Sequence, residues 1–304
     1  MKPLDPGQIG SRLDERALAL YAATVFLWGT SWIALRAQLG VVAPEVSILW
    51  RFLLAAVGMW IWVTAAREPV TFPWREHVRF FGTGLCLFSF NFILFYYGGL
   101  TIPSGLLAVV FSLASVFNLA LGALLLGQRV EPAVAAGGLL GACGVALLFW
   151  PELSTGLDGG GVWGLILCVL GTIVFCLGNI VSTVTQRRGI PLLSAIAWSM
   201  SYGVVVLTLL SLLRGHAFII EPTARYVVSL VWLAIGASIA GFACYLTLLR
   251  RIGAARAGYA TVLFPLVALA VSTIFEGYRW TGLAAGGVVL VLAGNLLVLR
   301  SGRR

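Results

Sequence analysis

The sequence predicts an all-α integral membrane protein: ten transmembrane helices, arranged as two inverted five-helix repeats around a central cavity, with both termini cytoplasmic. Three observations carry that expectation. Of 304 residues, 60% are hydrophobic and only 10% charged, with a mean hydropathy of +1.00, whereas soluble domains carry about a quarter charged residues. The basic residues alternate between loops. Short motifs recur at an offset of about 150 residues.

Apolar windows bounded by Pro, Gly and charge place the helices in order. The first five fall near 17–37, 44–66, 78–98, 103–126 and 132–150, and the second five near 162–186, 191–213, 225–249, 255–275 and 280–299. Helix 1 begins at Ala17, directly after Arg16, and at about 20 residues lacks the short core and cleavage site of a secretory signal. Helices 2, 4, 5 and 7 open at Pro44, Pro103, Pro132 and Pro191; helix 3 follows Arg75. Helix 6 stops before Arg187 and Arg188, helix 8 lies between Arg225 and Arg250, helix 9 stops before Glu276, and helix 10 runs from Trp280 to Arg300. Ten spans fill about two thirds of the chain, so residues 1–304 form one membrane domain, with 17–150 as the first repeat and 162–299 as the second.

Charge placement tests the count. With ten spans, fifteen of the twenty basic residues fall on one side: Lys2, Arg12, Arg16, Arg67, Arg75, Arg79, Arg129, Arg187, Arg188, Arg250, Arg251, Arg256, Arg300, Arg303 and Arg304. The other side has Arg36, Arg214, Arg225 and Arg279, and Arg51 lies within helix 2. The positive-inside rule puts both termini in the cytoplasm. Scattered over short loops, these arginines make no nucleic-acid surface despite the net charge of +9.

The repeat is visible in Gly127, Arg129, Ala135, Ala136, Gly137, Gly138 and Gly144, which recur as Gly277, Arg279, Ala284, Ala285, Gly286, Gly287 and Gly294. Gly29 and Pro44 are echoed by Gly178 and Pro191. Because five is odd, the second copy enters the membrane from the opposite side, and two inverted halves can exchange conformations around a central site.

Several chemistries are excluded. All eleven acidic residues, Asp5, Asp14, Glu15, Glu45, Glu68, Glu76, Glu131, Glu152, Asp158, Glu221 and Glu276, sit in loops or at helix ends. Coupled carriers usually hold a carboxylate in the membrane, so facilitated transport is expected. With Lys2 the sole lysine there is no phosphate-binding loop. His77 and His216 lie in loops, so neither a nucleophile with its base nor a metal cluster is expected within the membrane, nor any cofactor. Cys86, Cys143, Cys168, Cys176 and Cys244 read as small packing residues. Arg51, about seven residues or 10 Å into helix 2, could hold a substrate carboxylate or snorkel outward to Glu45 or to backbone carbonyls; the structural role is the expected one.

Trp74, Trp150, Trp163 and Trp280 suit interfacial belts. Trp28 lies near mid-membrane, with Trp32 one turn on; Tyr96 and Tyr97 end helix 3, Tyr245 is deep in helix 8 and Tyr259 opens helix 9. Their polar ends need partners. A cavity lined by Trp28, Tyr96, Tyr97, Tyr245 and Tyr259 would supply them, with Asn91, Asn118 and Asn179 either binding amino or carboxyl groups or hydrogen-bonding between helices. Gly98, Gly99, Pro103 and Gly105 between helices 3 and 4, and Gly253, Gly258 and Pro265 around helices 8 and 9, are candidate hinges or ordinary turns.

Trp28, Gly29, Thr30 and Ser31, then Pro44, and the run from Arg51 to Ala55 resemble the opening of the drug/metabolite transporter superfamily, EamA type. Gly127, Gln128 and Arg129 resemble its Gly-Glu-Arg turn, with Gln128 in place of Glu, and Phe264 and Pro265 its helix 9 proline, which Ser115 replaces in the first half. The resemblance spans the chain. It implies two inverted five-helix repeats around a cavity formed mainly by helices 1, 3, 4, 6, 8 and 9, and a structural Arg51. Lacking the membrane lysines of phosphate carriers and the helix 1 glutamate of small multidrug exchangers, the chain looks more similar to bacterial amino-acid exporters, the aromatic branch in particular.

The expected function is therefore that of an exporter in the bacterial inner membrane, moving aromatic or other neutral amino acids by alternating access, with other metabolites or hydrophobic drugs as the alternative cargo. A channel, a receptor and an intramembrane enzyme are the alternatives of a different class. The expected partners are a small-molecule substrate and the lipid bilayer, not nucleic acid; a monomer is an admissible state.

Overall fold

The computed structural model describes residues 15–127, 132–150, 160–252 and 260–301, which form ten helices. These are α1 (Glu15–Ala37), α2 (Pro44–Ala65), α3 (Trp74–Gly99), α4 (Ser104–Leu126), α5 (Pro132–Leu148), α6 (Gly161–Arg187) and α7 (Leu192–Leu213). After them come α8, continuous through Ala224–Val231, Trp232–Ala240 and Gly241–Ile252, then α9 (Ala260–Phe275) and α10 (Gly282–Ser301). By length and composition α1 to α4 and α6 to α8 are long and apolar enough to cross a membrane, and α5, α9 and α10 hold shorter apolar stretches. The chain is an all-α, multi-pass membrane protein.

The boundaries follow from local chemistry. Pro44 begins α2, and Pro103 and Pro191 immediately precede α4 and α7, where a missing N–H costs no helical hydrogen bond. The Thr223 hydroxyl accepts the Tyr226 N–H at 3.3 Å at the start of α8. Gly127 after α4 and Gly277 after α9 have φ of 65° and 67°, a left-handed conformation that favours glycine. Leu124, Leu139, Trp163, Leu213, Ile274, Phe275 and Val289 are exposed on the outside of the bundle, where a bilayer accepts them.

Helix packing has a regular pattern. α2 lies against α7, α5 against α10, α4 against α9, α1 against α8 and α9, and α6 against α3 and α4. Replacing each helix by the one five positions away maps this set onto itself. The α2–α7 pair is antiparallel: Trp50 Nε1 donates to Ile219 O beyond the end of α7 (3.0 Å), Trp60 Nε1 to Ser201 Oγ (2.9 Å), and Ser194 Oγ at the start of α7 to Pro69 O (2.7 Å). The α5–α10 pair is antiparallel too, at backbone contact. A Cβ built on Gly144 would lie 2.6 Å from Gly287 O, one on Gly287 2.5 Å from Gly144 O, and one on Gly294 2.5 Å from Gly137 O. Small residues let membrane helices approach this closely.

Two helices change winding midway along their length. Cys86–Phe90 in α3 and Trp232–Ala240 in α8 are π-helical, a geometry that frees carbonyls and often marks functional sites. Ser89 Oγ donates to Gly84 O (3.1 Å) and Leu85 O (2.7 Å), and Ser238 Oγ to Leu233 O (2.9 Å). The sequence places the backbone irregularities where α3 meets α4 and around α8 and α9 instead. The turn after Gly99 is closed by Leu100 N–H to Tyr97 O and Thr101 N–H to Gly98 O, and Pro103 caps α4 in extended geometry. Gly105 seats α4 on α9, a Cβ there meeting Leu269 and Ser272 at 2.9 to 3.0 Å. Pro265 is inside α9; Gly253 and Gly258 lie outside the described residues.

Candidate functional site: a central cavity

A cavity of about 460 Å³ lies between α1, α2, α3, α4, α6, α7, α8 and α9. It extends toward one end of the bundle, reaching Phe80 and Thr83 near the start of α3, Thr185 and Gln186 at the end of α6 and Leu192 at the start of α7. This is the end bearing Arg67, Arg75, Arg79, Arg187 and Arg188. Toward the other end it stops at the level of Trp32, Arg51 and Ser112.

Two layers close that other end. The first is aromatic: the Trp32 ring lies 5.2 Å from Phe95 and 5.4 Å from Phe111, and stacks 6.4 Å from Phe264. The second is ionic. Glu45, 0% exposed at the start of α2, pairs with Arg214 at the end of α7, lies 3.4 Å from His216 Nε2 and accepts the Tyr97 hydroxyl at 3.1 Å. Glu45, then Tyr97, hold the Arg214 guanidinium above its ordinary pKa. Arg36 ends α1 and pairs with Glu276 after α9 at 3.1 Å, while Glu276 accepts the Ser104 N–H (3.0 Å) and hydroxyl (2.6 Å) and the Ser272 hydroxyl (2.5 Å). The carboxylates placed at helix ends by the sequence are thus folded under protein, and each joins helices from both halves.

Five of the eight sequence-predicted binding residues line the cavity: Trp28, Asn91, Asn118, Asn179 and Tyr245. Trp28 Nε1 donates to Ala237 O in the α8 π-helical stretch (3.2 Å), and its ring lies 5.0 Å from Tyr245. Asn179 Nδ2 donates to Asn118 Oδ1 at 3.2 Å, so the interhelical hydrogen bond is present and leaves the other half of each amide in the cavity wall. Asn91 is 1% exposed and its Oδ1 has no hydrogen-bond partner among the described residues. Tyr96 and Tyr97 are elsewhere. Tyr96, fully buried, donates to Gln38 Oε1 at 2.5 Å, and Tyr97 belongs to the Glu45–Arg214 cluster. Tyr259 lies outside the described residues.

Arg51 takes neither Glu45 as a partner nor a position at the helix end. It lines the cavity over the Phe92 ring at 4.4 Å and the Phe52 ring at 5.0 Å. Sequence reasoning missed the pairing of Arg36 with Glu276 and of Arg214 with Glu45. Its signal was present, since these four are among the few charges on the arginine-poor side. The Ser112–Ser115–Asn295 group was missed as well: Ser115 Oγ donates to Asn295 Oδ1 (2.5 Å) and Asn295 Nδ2 to Ser112 Oγ (3.1 Å), beside the break in α4 at Leu113.

The model of the EamA-like transporter family matches residues 16–150 and matches again at 162–300. The chain belongs to the EamA-like transporter family. It is a transporter and not an enzyme. A Salmonella typhimurium strain LT2 protein described as "Probable amino-acid metabolite efflux pump" is 28% identical over 281 residues, 89% of this chain and 90% of its own length. An Escherichia coli K12 protein of the same description is 27% identical over 283 residues, again 89% and 90%. "Uncharacterized inner membrane transporter YedA" of the same strain is 26% identical over 92% of this transporter and 91% of its own length. A solved crystal structure of a protein shares the fold, with a TM-score of 0.66 and 18% identity, covering 95% of this chain and 99% of that one.

Proposed function

We propose that this transporter exports aromatic or other neutral amino acids by alternating access between two inverted five-helix repeats in the bacterial inner membrane, with both termini in the cytoplasm. The observation that carries the reading is the cavity: walled by aromatic rings and a few amides, extended to one end and sealed at the other by two layers. Its volume suits a molecule of amino-acid size. The relatives described as amino-acid metabolite efflux pumps support the cargo class.

Inversion is supported by the geometry of the pairs. Gly137 meets Gly294, the repeat equivalent of Gly144, and Gly144 meets Gly287, one residue from the equivalent of Gly137, across antiparallel helices, a nearly crosswise pairing of the kind that a two-fold axis in the membrane plane produces. The arginine-rich end, toward which the cavity extends, is the cytoplasmic one by the positive-inside rule. This conformation is then inward-facing. The hinges are Gly99, Pro103, Gly105 and Pro265, working with the π-helical stretches of α3 and α8.

Counterflow tests the function. Purified protein in liposomes preloaded with unlabelled phenylalanine or tryptophan is expected to accumulate the labelled compound. Trp28→Ala and Tyr245→Ala are each expected to weaken accumulation about tenfold, the ratio given by roughly 1.4 kcal/mol of lost binding. Accumulation only of other metabolites or drugs in a parallel panel overturns the amino-acid assignment. Transport is facilitated: Glu45, Glu76 and Glu276 are each held in an ion pair away from the cavity lining, leaving no carboxylate among the described residues there to carry a coupling ion. An imposed pH gradient is accordingly expected to drive no uptake above the equilibrium level, and concentrative uptake would defeat this part of the reading.

A further inference from the structure

Arg51 is 6% exposed, two turns inside α2, and part of the cavity wall. A guanidinium carries five N–H donors and a charge that is costly to leave uncompensated away from water. Its hydrogen bonding here is thin: Nε and Nη2 share the single Ser238 hydroxyl, each at 3.4 Å, the outer limit of a useful hydrogen bond. That hydroxyl in turn donates to Leu233 O at 2.9 Å. Two phenylalanine faces and the nearby Tyr96 hydroxyl supply the remaining stabilisation.

No described carboxylate pairs with it. Glu45 is held by Arg214, Glu276 by Arg36, and Glu76 by Arg79 and Arg188. Nor does the architecture demand a charge at this level, because α7, the counterpart of α2 in the second half, has no charged residue from Leu192 to Leu213. The counter-ion is the missing component, and the cavity is where it can arrive.

We infer that Arg51 is the anchor for a carboxylate on the cargo, so that the cavity selects molecules bearing a carboxylate, zwitterionic or anionic, and rejects amines that lack one. This deepens the proposed transport function and rests on it. The planar fork matches a carboxylate through two parallel N–H donations. Phe52, Phe88 and Phe92 around it lower the local dielectric, which strengthens that pair and raises the cost of a cation in the same place.

The test is counterflow and equilibrium binding with pairs of compounds that differ only in the carboxylate: phenylalanine against phenethylamine and tryptophan against tryptamine, with 3-phenylpropionate as the anion without an amine. Wild-type protein is expected to favour the acid-bearing member of each pair by tenfold or more. Arg51→Gln is expected to collapse that ratio toward one, and Arg51→Lys, which keeps the charge and loses the fork, to retain part of it. A role confined to folding would lower the melting temperature and depress every compound alike, so the ratio separates the two; if Arg51→Gln does not fold, the ratio in Arg51→Lys decides. An unchanged ratio in a folded variant overturns the anchor and leaves the transport function standing. Wild-type protein that accumulates no member of the panel overturns the amino-acid reading and the anchor with it.

Discussion

Gly287→Leu is expected to abolish the folded carrier, whereas Gly286→Ala, one residue away, is expected to leave it intact. The contrast follows from which side of α10 each glycine faces. A Cβ on Gly287 would lie 2.5 Å from Gly144 O, 2.9 Å from Leu148 Cγ and 3.0 Å from Leu148 N, while one on Gly286 meets nothing within 4 Å. Two of those three neighbours are backbone atoms of α5, so the clash is relieved only by separating the helices. Overpacking typically costs about 1–3 kcal/mol, and separating the helices would also lose the contact at Gly137 and Gly294. Gly287→Ala should lower the melting temperature in detergent, and Gly286→Ala should hold or raise it, since alanine is the better helix former by up to about 1 kcal/mol. Equal melting temperatures for the two alanine variants would refute the backbone contact.

The second large effect is at the sealed end, and it is asymmetric. Arg214→Gln is expected to open this end more than Glu45→Gln does. Glu45 is fully buried, whereas the Arg214 side chain is 48% exposed. Losing Arg214 strands a carboxylate inside protein, and losing Glu45 leaves a guanidinium that can turn to water. A cysteine at Ser31, which lines the cavity, reports the change when the native cysteines are replaced. An impermeant thiol reagent applied from the arginine-poor side should label it on the order of tenfold faster in Arg214→Gln. The double variant should fall between. Equal labelling in all four proteins would remove the ionic layer from the gating role.

The sequence discloses the ten helices because proline, glycine and arginine punctuate it at nearly every boundary, and the structure departs from the expected ends by only a few residues. Trp28, Asn91 and Tyr245 could be placed in the cavity because each is a polar group in an apolar span. Tyr96 and Tyr97 could not, because their hydroxyls are met by Gln38 just after α1 and by Glu45 and Arg214 at the ends of α2 and α7, partners that only the packing of distant segments brings together. The ion pairs were obscured for the same reason: Arg36 and Glu276 are distant in sequence, and only packing of α1 on α9 decides that they meet.

The thin aromatic layer around Trp32, Phe95, Phe111 and Phe264 has an electrical consequence. With a cavity extending to one face and rings packed beneath the other, the membrane voltage falls mainly across that layer and not over the full bilayer. Each elementary charge moved through it involves about 2.3 kcal/mol per 100 mV. A cargo whose carboxylate and ammonium cancel crosses the steepest part of the field at no electrical work, so an exporter of zwitterions built this way would run at the same rate in energised and in depolarised cells.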